Sequence, residues 1–181
     1  GILGQRKTKV GESVERGIKT IRLPALRFPM VNNLYLLGLE ELIVRLRPDV
    51  IICHGIVFLT SIRVARLRRR LPEVKLIFDD HMTYNATRGG IFNYIYALFK
   101  SVFTPAILKS ADAIVAVTYE TKKFMQQIYG IPREKIKVIP LGVDTTLFRR
   151  DPVSREKIRA KHCIPDDDVV FIYAGKITPE K

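Results

Sequence analysis

The sequence predicts an α/β protein: a parallel β-sheet with helices on both faces. Two patterns and the composition carry that expectation. Segments with helical spacing of apolar residues alternate with strand-like segments from residue 33 to residue 142. The strand-like segments are short, nearly continuous apolar runs, the form taken by strands buried on both faces. Hydrophobic residues make up 47% of the 181-residue chain, enough for a real core and too much for a disordered one.

The elements follow in order. "NLYLLGLEELIVRLRP" (33–48) has helical spacing and stops at Pro48. "DVIICHG" (49–55) reads as a buried strand, and "FLTSIRVARLRRRLP" (58–72) as the next helix. "VKLIFDDH" (74–81) is a second buried strand. "GGIFNYIYALFKSVFTPAILKSAD" (89–112) is a helix that Pro105 should break or kink, because proline lacks the N–H the helical ladder needs. "AIVAVT" (113–118) is a strand, "YETKKFMQQIYG" (119–130) a helix closed by Gly130, and "IKVIPLG" (136–142) a strand. From residue 143 the chain turns polar, and 143–168 reads as an interdomain linker carrying a short helix. "VVFIYAGK" then begins a further buried strand with no partner in the remaining sequence. The expected organisation is therefore a first domain at 1–142, a linker at 143–168, and the opening of a second domain at 169–181. The absent initiator Met and the unpaired last strand make both ends read as truncated.

The net charge of +13 favours an anionic partner: a nucleic acid, a negative membrane face or a phosphorylated substrate. The densest basic cluster, "RVARLRRRLPEVK", interleaves arginines 63, 66, 69 and 70 with apolar residues, as a helix with a solvated basic face would. It has no interleaved aromatics and no nucleic-acid module motif, so no nucleic-acid partner is expected. Cys53 and Cys163 are too isolated for a disulfide framework, and Cys53 in "VIICHG" reads as a buried small hydrophobe. No run reaches the roughly 18 apolar residues of a spanning helix. A reducing, cytoplasmic setting is expected.

In a sheet of this kind, ligands bind outside the carboxyl ends of the strands. His54 and Gly55 follow the first strand, His81 follows "LIFDD", Thr118 and Glu120 follow "AIVAV", and Gly142 follows the last. Two of the three histidines thus fall at strand exits. Either could instead cap a helix or bond a loop carbonyl, and Asp79 and Asp80 could cap the element that follows them. A zinc site of His54, His81 and an aspartate is poorly supported by such loose spacing, and no metal is expected.

"KVIPLGVDTTLF", a spacer, and "VVFIYAGKITPEK" together resemble the interdomain passage of family-4 retaining glycosyltransferases. The resemblance is specific there and extends more loosely over residues 40–181. It implies half of a GT-B fold: a Rossmann-like acceptor-side domain without its first strand, followed by the start of the donor-binding domain. It also implies a nucleotide-sugar donor as co-substrate, no cofactor, and a glycan, lipid-linked or small-molecule acceptor. Residue by residue, His81 matches a histidine that lies against the donor sugar. Gly175, Lys176 and Lys181 match the loop that meets the donor phosphates, and His54 and Gly55 would line the acceptor side with Thr118 and Glu120. Lys176 stands where the family usually has arginine, keeping the charge and losing the planar fork. Two other readings compete: a non-catalytic basic module for membrane or nucleic acid, and a GT-B sugar-nucleotide epimerase. Finally, the 91–103 stretch holds more apolar residues than one helix face needs. It either packs inward or rests, as a peripheral contact, on an anionic membrane surface at the inner face.

Overall fold

The computed structural model describes residues 9–28, 33–84 and 91–174. The chain divides into two compact units, Gly1–Leu141 and Gly142–Lys181.

The first unit opens with two hairpins that the sequence did not announce. Strands β1 (Gly11–Glu15) and β2 (Ile18–Arg22) pair antiparallel, with Gly11 opposite Arg22. Arg16 and Gly17 between them both have positive φ, 52° and 80°, which suits a two-residue turn to the twist of the strands it joins. Strands β3 (Ala25–Phe28) and β4 (Asn33–Leu36) form the second hairpin. The helix expected over 33–48 is therefore shorter. Its first residues pair with β3, and helix α1 spans Leu39–Leu46. Gly38, at φ 73°, makes the break that helical periodicity alone does not reveal.

The main sheet agrees with the expected class. Strands β5 (Val50–His54), β6 (Lys75–Asp80), β7 (Ala113–Ala116) and β8 (Ile136–Val138) lie side by side in that order, all parallel. The register places Cys53 beside Phe78, Phe78 beside Ile114, and Ile114 beside Ile136. Because side chains alternate along a strand, these four share one face. Helix α2 (Leu59–Leu67), the helix running through residues 91–110, and α5 (Tyr119–Gln127) supply Ile62, Val64, Phe99, Ile107, Phe124 and Met125 to the same buried cluster. Tyr129, just beyond α5, is its keystone: its ring meets both Phe99 and Phe124, and its carbonyl accepts from Thr104 Oγ1 at 2.8 Å. The opposite face carries Val50, Ile52, Ile77 and Val115, and Ile52 is 65% exposed among the described residues.

The expected break near Pro105 takes a specific form. Helix α3 (Ile91–Leu98) passes into a π-helical turn at Phe99–Phe103 and then into α4 (Thr104–Ser110). Proline cannot donate the bond that would continue the ladder, and the wider turn just before it absorbs the defect. The basic cluster on α2 also departs from expectation at one residue. Arg63 is half-buried against α1, paired with Glu40, donating to the Leu36 carbonyl and lying 4.0 Å over the Tyr35 ring.

The second unit contains helix α6 (Pro152–Lys161), capped by Asp151, whose carboxylate accepts from Ser154 N at 3.0 Å. Buried Arg159 gathers the 163–168 loop by donating to the carbonyls of Pro165, Asp166 and Asp168. The strand expected from residue 169 does not form here. Val169–Ile172 join no ladder among the described residues, and Phe171 is 93% exposed. An apolar run becomes a strand only against an edge that accepts its backbone hydrogen bonds.

Candidate functional site

The carboxyl ends of β5 and β6 bring together four of the residues singled out above. His54 ends β5 and Asp79 lies beside it in register on β6. His54 Nδ1 sits 2.9 and 3.0 Å from the two carboxylate oxygens of Asp79. A carboxylate only accepts, so Nδ1 carries the hydrogen in this contact. His81, in the loop after β6, stacks on His54 with ring centroids 4.7 Å apart and planes 15° from parallel. Both imidazoles face solvent.

Strand alternation separates the two aspartates of "DDH". Asp79 points to the open face with His54, whereas Asp80 points into the core and is fully buried. Asp80 Oδ1 accepts from the amides of His81 at 2.8 Å and Met82 at 3.0 Å. The capping role foreseen for this pair thus belongs to Asp80, which pegs the backbone of the loop bearing His81. Its other oxygen, Oδ2, is buried without a hydrogen-bond partner. Burial pushes the Asp80 carboxyl above its ordinary value, while the amides of Met82 and His81 and the nearby Tyr129 hydroxyl pull the other way. Burial beside that carboxylate raises the Tyr129 phenol as well. The hydroxyl itself is 3.4 Å from Met82 sulfur, a weak contact. Tyr129 carried no site signal in the sequence, because it lies about fifty residues downstream in what reads as a helix end.

The remaining candidates have local structural roles. Gly55 is buried at φ 87°, its amide donating to the Asp79 carbonyl at 2.9 Å and its carbonyl accepting from Ser61 Oγ at 3.0 Å. A Cβ there would meet the Phe58 ring at 2.2 Å, so the turn from β5 into α2 requires glycine. Thr118 is the N-cap of α5, accepting from Thr121 N at 3.0 Å, and Glu120 sits exposed in the first turn, where a negative charge suits the helix dipole. Cys53 is buried and its thiol is pushed up to about 12. Among the described residues no three His, Cys, Asp or Glu side chains converge as metal ligands. Gly175, Lys176 and Lys181 lie outside the described residues.

Two surface features lie away from the strand ends. A cavity of about 410 Å³ between α2 and α4 is lined by Arg66, Arg68, Arg69 and Lys109. On the neighbouring helix Tyr94, Leu98 and Val102 are 78%, 54% and 52% exposed, four residues apart on one stripe. Phe99 is buried and Phe103 packs against the core, so this helix has an inward aromatic face and a separate outward apolar one. No helix among the described residues is long and apolar enough to cross a membrane.

The profile of Glycosyltransferase Family 4 matches residues 4–147. The D-inositol 3-phosphate glycosyltransferase 1 of Catenulispora acidiphila is 33% identical over 72 residues, 40% of this chain and 17% of that protein. The lipopolysaccharide 1,2-N-acetylglucosaminetransferase of Salmonella typhimurium is 21% identical over 154 residues, 84% of this chain and 33% of that protein. The chain therefore spans a third or less of the length of these relatives. A crystal structure of a glycosyltransferase from Rickettsia africae superposes with a TM-score of 0.50 at 23% identity, over 71% of this chain and 31% of that one, a likeness of fold.

Proposed function

We propose, from the premise that this chain belongs to glycosyltransferase family 4, that it supplies the acceptor-side part of an enzyme that moves a sugar from a nucleotide-sugar with retention. The family match supports this reading, together with one observation: an exposed histidine, His81, held at the carboxyl edge of a parallel sheet by a buried aspartate. Residues 1–142 are assigned to the acceptor-side domain, 143–168 to the linker, and 169–181 to the first strand and phosphate loop of the donor side.

In this reading His81 hydrogen-bonds the donor sugar and helps place the acceptor, and His54 lines the acceptor side. Departure of the nucleoside diphosphate concentrates negative charge on its phosphates. Lys176 and Lys181, with Gly175 allowing close approach of the backbone, are assigned to neutralise it. Lysine supplies charge there without the bidentate fork of arginine. Thr118 and Glu120 stand at the rim, Thr118 chiefly as a cap.

The test is steady-state transfer by the whole enzyme. His81→Ala is expected to lower kcat by roughly ten- to a thousand-fold, with the donor KM changing less. Turnover within twofold of wild type would leave His81 a structural residue only.

A membrane-bound acceptor is the favoured refinement. The outward stripe of Tyr94, Leu98 and Val102 lies on the helix that leads into the basic α2–α4 groove, and that pairing of apolar and cationic surface suits an anionic lipid interface.

A further inference from the structure

His54 and His81 are stacked, yet only one of them has a visible reason to be where it is. Asp80 fixes the backbone of His81 and leaves its ring free to rotate about the side-chain torsions. The ring plane must be set by something else, and the only aromatic surface against it among the described residues is His54. His54 is itself 63% exposed, and its hydrogen-bond partner among the described residues, Asp79 at Nδ1, restricts the rotamers it would otherwise sample. That bond is made on both carboxylate oxygens, on the open face of the sheet, from a residue exactly in register on the adjacent strand.

We propose that Asp79 and His54 are positioning residues for His81: Asp79 locks the orientation and tautomer of the His54 imidazole, and the face of that imidazole sets the plane of the His81 ring. Which imidazole nitrogen carries the hydrogen is decided by the bond the ring makes, so Asp79 holds His54 as the Nδ1–H tautomer and leaves Nε2 as a lone-pair acceptor facing solvent. An offset stack at this separation is attractive and favours nearly parallel rings. The arrangement gives each aspartate of "DDH" one task, Asp80 for the loop's backbone and Asp79, through His54, for the ring. The consequence for turnover rests on the sugar-side role given to His81 above, whereas the positioning itself does not.

The test is read on the chain directly by long-range proton–nitrogen spectra of the histidine rings at high pH, where imidazoles are neutral. His54 is expected as the Nδ1–H tautomer, and Asp79→Leu should abolish that signature while Asp79→Asn, which keeps an acceptor, restores it. The ring protons of His81 should carry the upfield shift of a stacked neighbour. That shift should be lost in His54→Ala and retained in His54→Phe, which preserves an aromatic face. Wild-type His54 found as the Nε2–H tautomer, or His81 ring shifts unchanged by His54→Ala, would overturn the proposal, and the wild-type measurement needs no variant to fold. If the spectra behave as expected and the enzyme transfers no sugar, the functional reading fails and the positioning stands.

Discussion

Asp80 is a carboxylate with one oxygen used twice and the other buried and unused. Burial raises its carboxyl, so the folded state prefers the proton more than the unfolded chain does. The sign follows from linkage. Its contribution to stability is fully present below the ordinary carboxylate value of 3.8 and is lost as pH rises through the higher folded value. Asp80→Asn keeps an acceptor for the His81 and Met82 amides and removes the charge. The variant should melt at a higher temperature than wild type at neutral pH, and the gap should close as the pH falls toward 3.8. Thermal melts across that range check it. A lower melting temperature at neutral pH would show that the ionised form has a partner worth more than its desolvation. The residue was legible in the sequence as one of two aspartates before a histidine. Which of the two faced inward was not, because it depends on the parity of the strand.

Between elements, Arg63 makes a tie outside the sheet. It joins α2 to α1 through Glu40 and to β4 through the Leu36 carbonyl and the Tyr35 ring. Hydrogen bonding to Arg63 holds the Glu40 carboxyl below its usual range, against a smaller opposing effect of burial. Truncation would leave a half-buried carboxylate and a carbonyl without their donor. Arg63→Ala should therefore cost about 2–4 kcal/mol in denaturant unfolding, and Arg63→Lys should recover only part of it, since lysine cannot make the forked contact. Glu40 contributes to the pair only while ionised. The penalty should therefore shrink as pH falls through the lowered Glu40 value. An equal loss at neutral and acid pH would assign the effect to packing alone. In sequence, Arg63 is one of five arginines in the 58–72 stretch, which reads as a helix with a basic face. Only the placement of α1 and β4 distinguishes it from its solvated neighbours.

Across the molecule, the proposed membrane contact rests on two features, the +13 charge and the outward stripe on the 91–110 helix. Vesicles containing phosphatidylglycerol should pull the protein down at low salt, vesicles of phosphatidylcholine alone should not, and added salt should weaken the binding as the charges are screened. Leu98→Ser with Val102→Ser should reduce co-sedimentation without destabilising the fold, because both side chains are exposed. Phe99 and Phe103 are unsuitable for this purpose: they belong to the core side of the helix. Protein that stays in the supernatant with anionic vesicles at low salt would exclude the membrane surface and favour a soluble acceptor.

What the sequence determined by itself was the alternation of helices and strands along the chain, the parallel sheet this implies, and the set of residues at its carboxyl edge. These follow from local information: short apolar runs, helical spacing, and the topological rule that ligands meet strand ends. The family passage around Gly142 and the strand-exit histidines were readable for the same reason. Tertiary structure decided the rest. The hairpins at 11–36 depend on pairing and on positive φ at Gly17 and Gly38, which an alternation pattern does not encode. The division of labour between Asp79 and Asp80, the stacking of His54 on His81 and the burial of Tyr129 all bring together groups from separate strands and helices. The apolar run at 169–172 makes the same point in the opposite direction: strand propensity is written in its residues, but a strand exists only where another edge accepts its hydrogen bonds.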